Sequence, residues 1–264
     1  MTTPSVADKA ARFRDLHLAP GAFVMPNPWD AGSARLLAGM GFQALATSSA
    51  ASAMALGRAG DYQLSRDEAL AHARAIVGAT ELPVSADLEN GFGHRPEVVA
   101  ETIRLAAETG LAGGSIEDAS QQPGTPIYDF GQAVERVAAA VQAARSLGRP
   151  FTLTARAENF LNGREDLDDT IRRLQAYEAA GADVLFAPGL PTLDAVRAVC
   201  SAVNKPVSFM VGIPGKSFSV AELQAAGVKR ISLATSLYRA AMNGLKAAAE
   251  EIQRDGTFNY LNRR

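Results

Sequence analysis

The residues best placed to do chemistry lie in Pro83-Val84-Ser85-Ala86-Asp87-Leu88-Glu89-Asn90-Gly91-Phe92-Gly93, an apolar run that ends in two carboxylates and a glycine loop. Pro83 is tolerated as the first residue of a strand. Val84, Ala86 and Leu88 alternate as apolar positions, which predicts Asp87 and Glu89 on the opposite face. Two adjacent carboxylates repel unless something positive lies between them, and a hard divalent cation with oxygen ligands, Mg2+ or Mn2+, meets that need. A solvated strand end followed by a turn is the alternative reading of the stretch taken alone. Glu117, in Ile116-Glu117-Asp118, adds a third acid, and Arg156, in Thr154-Ala155-Arg156, adds a guanidinium. Arg156 has two readings: an ion pair with Glu117 or Glu158, or a fork for a substrate carboxylate or phosphonate. A cation and an arginine facing one oxyanion suit the stabilisation of an enolate, because both act where negative charge develops. The amides of Ser48, Ser49 and Ala50 can bind a carboxylate, although a tight turn also demands small residues there.

Other chemistries find less support. Oxygen ligands disfavour zinc, and the three histidines are scattered. His17 and His72 fall in helical patterns and are expected at the surface, whereas His94 follows Asp87 in the glycine loop and is a candidate to reach the site. Cys200 is the only cysteine, which excludes an intrachain disulfide and a cysteine-rich metal centre, and its apolar setting reads as a small helical core residue. Gly215-Lys216-Ser217 imitates the end of a phosphate-binding loop, but Met210 stands where the leading glycine is required. Gly91-Phe92-Gly93-His94-Arg95-Pro96 likewise lacks the third glycine of a dinucleotide fingerprint.

To bring these side chains to one rim, the chain needs parallel strands with a common carboxyl end. Strand-like runs recur eight times, at 22–25, 44–47, 84–87, 114–117, 151–155, 184–187, 207–211 and 231–234. Helical patterns intervene at 31–39, 65–77, 96–108, 132–147, 167–179, 192–203 and 220–226; another at 6–18 leads in and one at 237–252 closes the chain. Gly41, Gly110, Gly181 and Gly227 each close a helix and open a strand, a weak internal repeat. Continuously apolar strands alternating with helices imply a parallel sheet covered on both faces, and eight units imply a closed (β/α)8 TIM barrel. An open doubly wound sheet is the runner-up, but Met25-Pro26-Asn27-Pro28 is not the glycine turn it needs after its first strand. The strand ends carrying Ser48 and Ser49, Asp87 and Glu89, Glu117, and Arg156 then share the catalytic rim.

At 264 residues with no Pro/Ser-rich linker, residues 1–264 are expected to form a single barrel domain. The 26 basic and 28 acidic residues nearly cancel without charge blocks, so neither nucleic acid nor a membrane surface is an expected partner. No apolar run is long enough to span a bilayer and the N-terminus lacks a signal-peptide core, so a cytoplasmic protein is expected.

Taken together, these motifs resemble the isocitrate lyase and phosphoenolpyruvate mutase superfamily, over residues 25–252. Asp87-Leu88-Glu89-Asn90-Gly91-Phe92-Gly93 is similar to that family's Asp-x-Asp-x-Gly-x-Gly, whose first acid ligates Mg2+ directly and whose second acts through water. Ile116-Glu117-Asp118 resembles the Ile-Glu-Asp that carries another water-mediated metal carboxylate. Thr154-Ala155-Arg156 resembles the strand with the substrate-binding arginine, and Ser48-Ser49-Ala50 the turn whose amides hold the α-carboxylate of a 2-oxo acid. The resemblance implies the same barrel, with a last helix often exchanged between subunits of a dimer or tetramer; the stripe of Leu237, Ala240, Ala241, Leu245, Ala248 and Ile252 is consistent with such a homo-oligomer.

The departures bear on function. Glu89 replaces an aspartate. Gly57-Arg58-Ala59-Gly60-Asp61 is one residue longer than the family's Gly-x-x-Asp, whose aspartate lies near the metal. The lyases follow the Glu-Asp motif with Lys-Lys-Cys-Gly-His, whose cysteine acts as acid or base, whereas residues 119–129 here hold no cysteine, histidine or lysine. Tyr128, Asp129 and His94 are the candidates to replace it. The resemblance therefore implies a Mg2+-dependent enzyme that makes or breaks a C–C or P–C bond in a small 2-oxo acid through an enolpyruvate-like intermediate, with a decarboxylase- or lyase-type reaction favoured. A non-catalytic 2-oxo-acid-binding member and a hydroxymethyltransferase-like condensing enzyme are the alternatives.

Overall fold

The computed structural model describes residues 4–262. Helix α1 (Val6–Leu18) leads in, and its first turn is closed by a reciprocal cap in which Ser5 accepts from the Asp8 amide and Asp8 reaches back to the Ser5 amide. Eight strands then form one parallel sheet: β1 (Phe23–Met25), β2 (Leu45–Ala46), β3 (Val84–Asp87), β4 (Gly113–Glu117), and, after a small hairpin of β5 (Ala119–Gln122) and β6 (Thr125–Ile127), β7 (Thr152–Arg156), β8 (Val184–Phe186), β9 (Val207–Met210) and β10 (Val228–Ser232). Their order is β1-β10-β9-β8-β7-β4-β3-β2, and the remaining seam is bridged where the Ala46 amide donates to the Pro26 carbonyl at 3.0 Å. This is the expected (β/α)8 barrel. Its helices are α2 (Ala31–Gly39), α3 (Ser49–Ala55), α4 (Arg66–Gly78), α5 (Pro96–Glu108), α6 (Phe130–Arg145), α7 (Leu167–Ala179), α8 (Leu193–Ala202), α9 (Val220–Ala225) and α10 (Ser236–Asp255).

Side chains alternate along each strand, so one set fills the space between sheet and helices while the other points inward. Leu153, Leu185 and Val207 belong to the outer, fully apolar set. The inward set is unusually polar: Ser85, Ser115, Arg156, Arg230 and Ser232 all line one cavity. Strand β10 begins three residues earlier than the pattern at 231–234 suggests, because Gly227, at φ 97°, turns the chain straight out of α9 into the sheet. A Cβ at this glycine would lie 2.9 Å from that of Cys200, which fixes how closely α8 and the turn approach. Cys200 packs against the apolar core as expected, and burial pushes its thiol up to about 11.

Helix α3 and the β5–β6 hairpin are not announced by hydrophobic periodicity. Their residues are small or polar, and the first is started by its cap, the Ser48 hydroxyl accepting from the Ala51 amide. Two histidines also depart from expectation. His17 is 6% exposed and sits beneath the barrel, edge-on to Phe13 and Phe23, because α1 lays its apolar face across the barrel floor. His72 is half-buried, with Nε2 held by the Trp29 carbonyl at 2.9 Å.

A buried polar network ties the carboxyl ends of β4 and β7 to α7. Asp118 accepts from the Tyr177 hydroxyl at 2.6 Å, from Arg173 at 3.0 Å and from the Glu158 amide at 2.7 Å, while Arg173 also reaches Asp169 at 2.8 Å. Every lone pair and donor so engaged makes the pair tolerable; leaving one charge behind would cost about 3–5 kcal/mol. The network therefore holds the neighbouring Glu117 and Arg156 at a fixed spacing.

Helix α10 behaves differently from the others. Leu237 packs on the barrel side, but Met242, Leu245 and Ile252 remain exposed along its length. Among the described residues, no helix is long and apolar enough to cross a membrane.

Candidate functional site

Arg156 stands at the end of β7 with its guanidinium shared among three carboxylates. Nη1 lies 3.1 Å from Asp87 Oδ1 and 3.1 Å from Glu117 Oε2, and Nε donates to Glu158 Oε1 at 2.9 Å. The face of the guanidinium rests 5.1 Å from the centre of the Phe186 ring. These partners come from the ends of adjacent strands β3, β4 and β7, whose register sets Asp87 beside Ser115 and Glu117 beside Arg156. Both readings of Arg156, structural ion pair and oxyanion fork, are thus compatible with one position.

The acids outnumber the cation. Burial raises Glu117 and Glu158 above the usual carboxylate range, with Arg156 pulling the other way for both. Glu89, 4% exposed, is raised to about 7, first by burial and then by the charges of Asp87 and Asp61. Asp61 is raised as well, by loss of water and by Asp87. Asp61, Asp87 and Glu89 therefore form an electrostatically strained group that either protons or an added cation would relieve.

The local backbone departs from the sequence pattern at Glu89. The strand stops at Asp87, and Glu89 adopts a left-handed conformation at φ 50°, so the two acids do not share a strand face. They meet by the fold-back instead, the Glu89 amide donating to Asp87 Oδ1 at 3.3 Å. Asp87 is further held by Ser49, whose hydroxyl and amide donate to Oδ2 at 2.7 and 3.2 Å. Of the three amides expected to receive a substrate carboxylate, that of Ser49 is consequently engaged by Asp87. Ser48 and Ala50 line the same cavity, as does Asp61.

Tyr62 was not singled out by the sequence, yet it closes the acid cluster from above. Its hydroxyl donates to Glu117 Oε1 and its amide to Glu89 Oε1 at 3.0 Å. Both oxygens of Glu117 are therefore engaged, one by Tyr62 and one by Arg156. An aromatic beside Asp61 in a glycine-rich loop is the only signal the sequence offered for it.

His94 and Tyr128 are brought to each other rather than to the cavity. The Tyr128 hydroxyl lies 2.8 Å from His94 Nδ1, Arg136 stacks 4.1 Å from the centre of the phenol ring, and neither His94 nor Tyr128 lines the cavity beside Arg156. Asp129 caps α6, accepting from the Gln132 amide at 3.0 Å.

That cavity, about 470 Å3 in volume, opens at the carboxyl ends of the strands. Its lining combines Asp61, Asp87 and Arg156 with the apolar Leu161, Phe186, Met210, Ile213 and Pro214. Among the described residues no three acids, histidines or cysteines are close enough to ligate one ion together. A hard cation would have Asp87 as its first carboxylate, with Glu89 and Asp61 reaching it through water, and the strained acids fit such an ion.

Comparison with known proteins bears on the family and the barrel. A family model described as phosphoenolpyruvate phosphomutase matches residues 13–253. The chain is 30% identical to 2-methylisocitrate lyase of Escherichia coli K12, over 72% of this chain and 66% of that protein. It is 29% identical to oxaloacetate decarboxylase of Paraburkholderia xenovorans LB400, over 94% and 83% respectively. Among solved structures, a Burkholderia cenocepacia J2315 protein described provisionally as a lyase/mutase superposes with a TM-score of 0.96 at 56% identity, covering 98% of this chain and 92% of that one.

The state of Glu89 has a measurable consequence. Its folded value of about 7 exceeds the ordinary 4.5. Between those values the folded protein holds a proton that the unfolded chain has released, so stability is greatest below this window and falls as pH rises through it. In metal-free buffer, Glu89→Gln is predicted to flatten that decline by at least about 1 kcal/mol. Urea denaturation at a series of pH values checks this; a slope identical to wild type would contradict it.

Proposed function

This chain belongs to the phosphoenolpyruvate mutase and isocitrate lyase superfamily of enzymes that act on C–C and P–C bonds, and from that premise we propose that it is a divalent-metal-dependent decarboxylase or lyase of a small 2-oxo acid. The single observation behind the proposal is the surplus of carboxylates around Arg156 at the mouth of one cavity. Asp87 would hold Mg2+ or Mn2+ directly, and Glu89 and Asp61 through water; Glu117 joins them through water only where Tyr62 or Arg156 yields an oxygen. When bound, the ion supplies Lewis-acid polarisation of the substrate's oxo and carboxylate oxygens.

The chain's own residues do the rest. The amides of Ser48 and Ala50 orient the α-carboxylate, and Arg156 donates toward the oxygen that becomes negative as the bond to the neighbouring carbon breaks. Because its charge is already fixed by Glu117 and Glu158, the guanidinium needs no reorganisation as the enolate forms. Tyr62 covers the acids and limits water. The hairpin that stands in place of the cysteine loop carries no acid or base into the cavity, and His94 and Tyr128 reach the reaction only if the 119–129 segment moves. The chemistry supported best therefore needs an electron sink more than a positioned proton donor, as in decarboxylation of an oxaloacetate-like acid; oxaloacetate decarboxylase is among the similar proteins. Non-catalytic binding of a 2-oxo acid would leave the same pocket without turnover.

The exposed stripe of Met242, Leu245 and Ile252 on α10 supports a homo-oligomer in which this helix packs on a second copy. Light scattering across micromolar concentrations is expected to give a dimer or a larger multiple, and a monomer throughout would refute it.

For the reaction itself, metal-dependent pyruvate release from oxaloacetate is predicted to exceed glyoxylate release from isocitrate. Arg156→Ala is predicted to lower the former by at least about 100-fold, the scale of one lost oxyanion donor. The assay is run with and without chelator and corrected for metal-catalysed background. Robust glyoxylate release would contradict the proposal, and absence of turnover with intact oxalate binding would favour the non-catalytic reading.

A further inference from the structure

Deep in the same cavity, below Arg156, lies a second guanidinium with no acid to balance it. Arg230 projects inward from β10, is 3% exposed, and lines the cavity with Ser85, Ser115 and Ser232. Its Nε donates to Ser208 Oγ at 3.0 Å, and its Nη1 lies 3.5 Å from His17 Nε2. Among the described residues, its Nη2 has no partner and no salt bridge involves this side chain.

The histidine beneath it cannot serve as a counter-charge. His17 Nδ1 faces the Phe13 carbonyl at 2.8 Å, so Nδ1 carries the proton and Nε2 is left as a neutral acceptor toward Arg230. Burial and the neighbouring Arg230 lower His17 to about 3, which keeps the ring neutral. Burial and the like charge of Arg156 also lower Arg230, to about 9. An ionised group taken out of water without an opposite charge is strongly disfavoured. Arg156 and Arg173 have carboxylates, and Arg136, buried without one, is met by the carbonyl oxygens of Asn90, Gly93 and His94, whereas Arg230 has only the Ser208 hydroxyl and a neutral imidazole among the described residues. The surrounding polar atoms are similarly unfinished. The Ser85 and Ser115 hydroxyls have no hydrogen-bond partner among the described residues, and neither does the buried Thr154 Oγ1 on the adjoining strand.

The geometry points to an oxyanion seat at the barrel floor, in which Arg230, with the Ser85 and Ser115 hydroxyls, binds a compact carboxylate-type anion; the Ser232 hydroxyl is already turned to the Phe209 carbonyl at 3.4 Å. That anion is either a second carboxylate of the substrate or a free ion of formate size. The seat stands apart from the metal-and-enolate reading, since it needs neither the cation nor turnover.

The probe is formate in chelator, at constant ionic strength set by a bulky sulfonate salt, read as the rise in melting temperature with formate concentration. Wild type is expected to show a saturable rise, and Arg230→Met to lose it, with affinity at least about 10-fold weaker. Without formate, Arg230→Met is expected to melt no lower than wild type, because the substitution removes an unbalanced buried charge and keeps the volume. A merely structural arginine would behave oppositely, destabilising on replacement and leaving the formate response unchanged. Formate that competes with oxaloacetate in turnover identifies the seat as the substrate's own; formate that binds without competing identifies a free-anion site. A wild-type protein with no saturable response, or an Arg230→Met variant with the wild-type response, would overturn the inference.

Discussion

The site depends on one guanidinium being asked to balance three carboxylates. Arg156 touches Asp87, Glu117 and Glu158 at about hydrogen-bonding distance, and all four side chains are largely removed from water. One positive charge cannot satisfy three negative ones in a low-dielectric setting, and Asp61 and Glu89 add to the imbalance. The molecule can answer with protons or with a cation; Glu89, Glu117 and Glu158 are all raised, first by burial and then by neighbouring carboxylates, with Arg156 opposing the rise in Glu117 and Glu158. Every other feature of the upper cavity follows from holding this strained group together.

The barrel supplies the holding. Parallel register places the ends of β3, β4 and β7 side by side, so residues 87, 117 and 156 meet although they are far apart in sequence. Behind them, Asp118, Arg173 and Tyr177 form a network that meets the site through the Glu158 amide and the Arg156 carbonyl. The contrast among three arginine environments is informative: Arg173 is balanced by Asp118 and Asp169 and is structural, Arg156 is over-balanced, and Arg230 faces no carboxylate among the described residues. The cavity thus carries excess negative charge at its mouth and excess positive charge at its floor, a polarity suited to a ligand with a cation at one end and an anion at the other.

Much of this was legible in the sequence. The eight apolar runs, the glycines that end helices and the acids at strand ends were enough for the barrel and for the convergence of Asp87, Glu117 and Arg156, because strand ends share a rim whatever the loops do. Loop chemistry was not legible in the same way. Glu89 looked like a strand residue because Leu88 continued the alternation, yet the chain turns left-handed there and the two acids meet by folding back. Tyr62 gave little signal beyond its place next to Asp61, since its role depends on where a glycine-rich loop folds over the rim. His17 read as a surface residue because helical periodicity says nothing about a helix that plugs a barrel floor. Hairpin β5–β6 escaped for the opposite reason: its mostly polar residues carry no periodicity to read, and its strands are joined by the turn at residues 123–124.

The proposed function rests on a cation site organised by Asp87 among the strained acids at the mouth. Calorimetric titration of Mg2+ into the wild type and Asp87→Asn, with circular dichroism to establish that the barrel is intact, tests it most directly. Saturable binding to wild type and its loss in Asp87→Asn are expected, with smaller losses in Glu89→Gln and Glu117→Gln because ligands acting through water are partly replaceable. Equal Mg2+ affinity in wild type and Asp87→Asn would contradict it.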